Sequence, residues 1–143
     1  MKIGPRLFQN NLILVNGDAR SPQDAARVLA YTSADGIMIG MAAQGNPWLF
    51  REISHYLATG ELLHGPEPGE IRRVLLSQLE NLYAFYGKFT GVRIARKHIR
   101  WYGRHQKNIK QFLALVNQTE SVIKQLEMVS QFFSQNGMQE MAA

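Results

Sequence analysis

Two short apolar runs, each closed by a glycine-containing turn and each followed by a helical segment, limit what this chain can fold into. Leu12-Ile13-Leu14-Val15 stops abruptly at Asn16-Gly17-Asp18, and Gly36-Ile37-Met38-Ile39-Gly40 is bounded by glycines at both ends. Runs this short with polar ends read as buried strands. Between them, Ser21-Pro22 offers an N-cap followed by proline at the first helical position. A helix is therefore expected over residues 22–32, carrying Ala25, Val28, Leu29 and Ala30. Asn46-Pro47 opens a second helix, on which Trp48, Leu49, Ile53 and Leu57 recur at helical spacing. The order strand, helix, strand, helix with short loops implies parallel strands joined by a helical crossover.

The pattern changes after Gly65, Pro66, Pro68 and Gly69, which make the 61–69 segment the best candidate for a boundary. Beyond it Ile71, Val74, Leu75, Leu79, Leu82 and Tyr86 follow a helical period, as do Val122, Ile123, Leu126, Val129, Phe132 and Phe133. A shorter helix is expected near residues 109–117. Residues 68–135 thus read as a small helical bundle, with frayed ends from Gln135 onward.

Charge is distributed unevenly. No carboxylate occurs between Glu80 and Glu120, yet that stretch holds Lys88, Arg93, Arg96, Lys97, Arg100, Arg104, Lys107 and Lys110, half of the 16 lysines and arginines. A long region of one sign attracts polyanions, phosphates above all. With residues 92–107 on one helix, Arg93, Arg96, Lys97, Arg100, Arg104 and Lys107 share an arc of about 100°. Val92, Ile94, Ala95, Ile99, Trp101 and Tyr102 fall outside it. This spacing fits a reader of the RNA backbone; the plainer reading is a solvated helix face, which ordinarily mixes both signs. His98 has no ligand partner at useful spacing and reads as a packing or capping residue. Trp101 and Tyr102 could stack on bases, with core packing expected of at least one. His55 and His64 read as surface positions, Asp35 as a loop acid and Glu52 as a helix-surface acid. The chain has no cysteine, which excludes disulfides, thiolate metal sites and a cysteine nucleophile or acid within it. No metal site is expected. No export signal and no membrane-length apolar run is read, so a cytoplasmic location is expected.

In parallel α/β proteins, ligands sit at the C-terminal strand ends. Both ends here are polar and glycine-rich, which suits a phosphate held by backbone N–H groups and a following helix; ordinary turn chemistry would give the same residues. The run Val15-Asn16-Gly17-Asp18, Ser21-Pro22, Ala34-Asp35-Gly36-Ile37-Met38-Ile39-Gly40 and Ala42-Ala43-Gln44-Gly45-Asn46-Pro47-Trp48-Leu49-Phe50-Arg51-Glu52-Ile53 resembles the last quarter of the barrel of bacterial B-type tRNA-dihydrouridine synthases. A second run, Phe85-Tyr86-Gly87, Gly91-Val92-Arg93-Ile94-Ala95-Arg96-Lys97-His98-Ile99 and Trp101-Tyr102, is similar to the helical tRNA-binding domain of that family.

The resemblance implies α/β plus all-α architecture: residues 1–66 as the last βαβα quarter of a TIM (β/α)₈ barrel, and residues 67–143 as a helical tRNA-binding domain. It implies FMN as cofactor, NADPH as reductant and tRNA as partner, for the reduction of uridine to 5,6-dihydrouridine. Carried over, the FMN phosphate falls to Asn16, Gly17, Asp18, Gly40 and Met41. The family pattern has arginine where this chain has Met41, and a neutral thioether offers no charge-assisted bond to phosphate. The implied catalytic cysteine belongs to earlier strands and has no counterpart here. A TIM barrel takes about 250 residues, so a chain covering only part of such an enzyme, inactive alone, is expected. Residues 2–10 match the family poorly. A free-standing helical RNA-binding module with a vestigial barrel segment, or an inactive pseudogene product, would fit the same residues.

Overall fold

The computed structural model describes residues 12–141, with side chains described through Gly137. The readings made of residues 1–11 lie outside the described residues. The chain divides into two compact units, the first ending at Gly65 and the second starting at Pro66.

The first unit holds strand β1 (Leu14–Asn16), helix α1 (Pro22–Thr32), strand β2 (Gly36–Met38), a single 3₁₀ turn (Met41–Ala43) and helix α2 (Leu49–Thr59). The strands pair in parallel, Leu14 opposite Gly36 and Asn16 opposite Met38. Register is fixed by Asp35: its carboxylate accepts from the Ile13 N–H at 2.9 Å, and its own N–H donates to the Ile13 carbonyl at 2.8 Å. Asp35 is therefore a clasp between the strands, more than an ordinary loop acid. Helix α1 starts as expected. The Ser21 hydroxyl accepts from the Asp24 N–H at 3.1 Å, and the Asp24 carboxylate accepts from the Arg20 N–H at 3.2 Å. This reciprocal cap satisfies donors that no helical carbonyl can reach.

The core of this unit is small: Ala19, Ala25, Leu49 and Ile53 are buried, with Ile37, Ile39 and Ala42 packed against them. The expectation of buried strands needs correction. Leu14 is 69% exposed and Met38 52% exposed. Side chains alternate across a strand, and here one sheet face packs on the buried cluster while the other is bare. Leu57, expected on the apolar stripe of α2, is also exposed.

The second unit contains α3 (Pro68–Gly103), α4 (Ile109–Val116) and α5 (Val122–Met141). Helix α3 is interrupted at Gly87, whose φ of 79° and ψ of 169° are non-helical. That conformation is essentially reserved for glycine. Beyond it the chain doubles back. Gly91 lies so close to Tyr83 that an added Cβ would sit 3.0 Å from the Tyr83 Cα, and Gln78 bonds to both His98 and Tyr102. The two arms, residues 68–86 and 88–103, are thus the antiparallel limbs of a helical hairpin.

Leu75, Leu79, Val92, Ala95, Ile99, Val116, Val129 and Phe133 form the buried centre of this unit. Phe112 stacks on Phe132 with ring centroids 4.1 Å apart. Gln125 is fully buried yet satisfied: its Oε1 accepts from the Tyr83 hydroxyl at 2.5 Å and its Nε2 donates to the Val92 carbonyl at 3.1 Å. Burial, and secondarily Glu80, push the Tyr83 phenol well up from its ordinary range, so it remains a donor. The end of the chain departs from expectation, because α5 continues through Gln135 to Met141 instead of fraying there.

Candidate nucleic-acid interface and strand-end loops

The strand-end residues come together in the first unit. Because Asn16 pairs with Met38 in a parallel register, Asn16-Gly17-Asp18 and Gly40-Met41 leave the same edge of the sheet. The 3₁₀ turn begins at Met41, with the Ala43 N–H donating to the Gly40 carbonyl at 3.0 Å. A side chain at position 40 would meet nothing within 4 Å, so the backbone there is open to a ligand atom. Met41 is 82% exposed and brings no charge. Asp18 is exposed and anionic. The edge is open at the Gly40 backbone, and the side chain at position 41 contributes no cation.

The basic segment lies on the second arm of α3, and the structure divides its six candidates. Arg93, Lys97 and Arg100 are exposed on the helix. Arg96 is half-buried: its guanidinium donates to the Thr119 carbonyl at 3.3 Å, and its Nε is buried without a hydrogen-bond partner. Its main contact is with the turn between α4 and α5. Arg104 and Lys107 are not on the helix at all, because α3 ends at Gly103 and both residues occupy the turn before α4. The Gln106 N–H donates to the Gly103 carbonyl at 2.8 Å, which turns the chain there. The Arg104 Nε donates to the Trp101 carbonyl at 3.0 Å. A single helix over residues 92–107, and with it one arc of six cations, does not form.

The absence of nearby acids in sequence also needs amending. Folding brings Glu120 to Arg93, at 3.4 Å. Both partners are exposed, so the pair is weak and leaves most of the field intact. The opposite face of the arm carries the buried Val92, Ala95, Ile99 and Tyr102, at the i, i+3, i+7, i+10 spacing that a core-facing helix shows.

His98 and the two adjacent aromatics have distinct surroundings. The Gln78 side-chain amide lies 2.9 Å from the His98 Nδ1, and the Tyr102 hydroxyl donates to the Gln78 Oε1 at 2.7 Å. With Oε1 accepting, Gln78 turns its NH₂ to His98, whose Nδ1 is then the acceptor of a neutral ring. Burial first, and the Lys97 charge second, hold the His98 pKa below its ordinary value. His98 packs edge-on against Trp101 at 4.9 Å between centroids. Tyr102 is buried, whereas Trp101 is only half-buried, so of the two candidates for stacking Tyr102 belongs to the core.

Sequence reasoning passed over Phe89, which is 63% exposed and carries the Arg93 guanidinium 4.2 Å from its ring centroid. The signal was available, since Phe89 lies four residues before Arg93, but Gly87 hid where the helical register restarts. Among the described residues no group of three or more His, Cys, Asp or Glu is arranged to hold a metal ion, and no helix is long and apolar enough to cross a membrane.

The model of the family described as Dihydrouridine synthase (Dus) matches residues 8–137. The tRNA-dihydrouridine synthase B of Xanthomonas axonopodis pv. citri (strain 306) is 50% identical over 121 residues, covering 85% of this chain and 36% of the relative. That of Pseudomonas syringae pv. tomato (strain ATCC BAA-871 / DC3000) is 49% identical over 123 residues, 86% of this chain and 36% of its own length. A relative of the same name in Salmonella typhimurium is 47% identical over 121 residues. The chain therefore spans little more than a third of the length of these relatives.

Proposed function

The chain belongs to the dihydrouridine synthase family, and from that premise we propose that it serves the reduction of uridine to 5,6-dihydrouridine in tRNA. In this reading it is the C-terminal portion of a flavoprotein of that activity, its first unit the last βαβα quarter of a TIM barrel and its second a helical tRNA-binding domain. The observation that carries the proposal is the near-50% identity to proteins named tRNA-dihydrouridine synthase B over about 85% of the chain.

The two units take different tasks. Asn16, Gly17, Asp18, Gly40 and Met41 would hold the FMN phosphate at the paired strand ends, chiefly through backbone N–H groups, since Met41 cannot form a charged bond. FMN, when bound, supplies hydride to the uracil C5–C6 bond, with NADPH as the source of reducing equivalents. This chain's own part is to hold and orient. The exposed Arg93, Lys97 and Arg100, with Arg104 and Lys107 in the adjoining turn, meet tRNA phosphates. Arg96 braces the turn at Thr119 and keeps that surface in shape.

A second reading, a helical RNA-binding module acting without the flavin, is favoured by one observation: the second unit is compact and has its own buried core. Both readings require RNA binding through the second arm of α3. A salt series of tRNA binding by fluorescence anisotropy tests it. Each phosphate contact should contribute about 0.7–0.9 to the slope of log affinity against log salt. The double variant Lys97→Ala, Arg100→Ala should bind more weakly and with a flatter slope, whereas Lys124→Ala on α5 should change little. Equal affinity and slope in wild type and double variant would reduce the arm to a solvated face. Bound flavin in the purified protein would favour the first reading over the second.

A further inference from the structure

Along the second arm of α3, Phe89, Arg93, Lys97 and Trp101 recur every four residues. Residues at this spacing form one ridge on a helix. The ridge runs about 18 Å at 1.5 Å per residue. Its ends are aromatic and its middle cationic, and each cation lies over a ring. The Arg93 guanidinium sits over the Phe89 ring at 4.2 Å, and the Lys97 Nζ lies 5.7 Å from the Trp101 ring centroid. Phe89 is 63% exposed and Trp101 half-buried. At the hairpin tip beside Phe89, Phe85 is 81% exposed and packs edge-on against Tyr86.

We infer that this ridge binds unpaired, splayed nucleotides of RNA, with bases stacked on Phe89 and Trp101 and intervening phosphates held by Arg93 and Lys97. The inference rests on the RNA reading given above and narrows it to a class of RNA. Aromatic rings set along a cationic ridge offer flat faces on which bases stack between phosphate contacts. A duplex presents phosphates and sugars but keeps its base faces stacked inside, so it satisfies the cations and leaves the rings bare. A single strand offers both, and base–aromatic stacking needs no particular sequence. Arginine at 93 also fits, because a guanidinium plane both stacks and pairs with phosphate. Glu120, 3.4 Å from Arg93, is exposed and yields to a phosphate at little cost. The acid-free sequence on either side supplies the complementary charge.

The test uses the whole 143-residue chain. Binding is measured by anisotropy for a single-stranded RNA of about eight nucleotides, a blunt duplex of the same strand, and an unmodified tRNA transcript. The single strand should bind more tightly than the duplex and should quench Trp101 fluorescence, Trp48 being buried. Phe89→Leu keeps apolar area but loses the ring face. It should weaken single-strand binding about five-fold or more while leaving duplex binding unchanged. Lys97→Ala should weaken both. Circular dichroism of the Phe89 variants checks folding, and the exposed position makes loss of fold unexpected. Equal binding of single strand and duplex, with Phe89→Leu indistinguishable from wild type, would overturn the inference and leave the RNA reading standing. Absence of binding to all three RNAs at low salt would overturn both. A Phe89→Ala change that alters oligomeric state but not single-strand affinity would assign the ridge to protein packing and overturn it as well.

Discussion

His98 shows how a single residue is turned from a chemical group into a structural one. Its Nδ1 accepts a hydrogen bond from Gln78, and burial together with Lys97 opposes its protonation. The folded chain therefore takes up this proton at lower pH than the unfolded chain, where an ordinary histidine titrates near 6.5. Between those two values the unfolded state binds more protons, so stability rises with pH. The contribution of the neutral ring is complete above about pH 6.5 and declines as pH falls below it. Urea unfolding of wild type and His98→Asn across a pH series should show a stability gap that narrows below about pH 6.5. A gap independent of pH would mean that the ring is protonated equally in both states. The buried Gln125 is a parallel case, an amide retained because Tyr83 and Val92 satisfy it at both ends; half of such a pair would be costly to leave unmet.

At the scale of elements, the reversal at Gly87 decides what α3 is. Seen as one 36-residue helix, α3 would be a rod and its basic residues would be far from the first arm. As a hairpin, it buries Val92, Ala95 and Ile99 and turns Lys97 and Arg100 outward. Alanine at position 87 would meet no neighbour, so its cost lies in the backbone alone. Gly87→Ala should destabilise the chain by about 1–3 kcal/mol, the cost of holding a residue with a Cβ at that φ and ψ. The readout is the urea midpoint at unchanged m-value. Gly91→Ala should also destabilise, for a different reason, since its Cβ would press on the Tyr83 backbone. A neutral Gly87→Ala would show that the turn survives by adopting another conformation.

For the molecule as a whole, the two compact units have unequal means. The second buries Leu75, Leu79, Val92, Ala95, Ile99, Val116, Val129 and Phe133; the first has four buried cluster residues and a two-stranded sheet with one bare face. The chain spans 36% of the length of its relatives in Xanthomonas and Pseudomonas and contains no cysteine to act as the acid that the family resemblance implies. Incubated with FMN, NADPH and unmodified tRNA, the 143-residue chain should produce no dihydrouridine above a protein-free control, as measured by nucleoside mass spectrometry. Turnover by the pure chain would require an acid other than cysteine and a flavin site built from these residues alone.

Local chemistry was enough to place α1, because Ser21-Pro22 and Asp24 define a cap whose bonds span only a few residues. It also gave the parallel pairing, since a helix between two short strands leaves few other connections. What lay beyond it was set by contacts distant in sequence. Strand burial failed because Leu14 and Met38 depend on what covers the sheet, not on their own hydrophobicity. The arc of six cations failed because Gly103 ends the helix, and because Arg96 and Arg93 find Thr119 and Glu120 more than twenty residues away. Glycine at position 87 permitted a helix or a turn with equal ease. Only the packing of Gly91 on Tyr83, and of His98 and Tyr102 on Gln78, selected the hairpin and so determined which side chains face solvent.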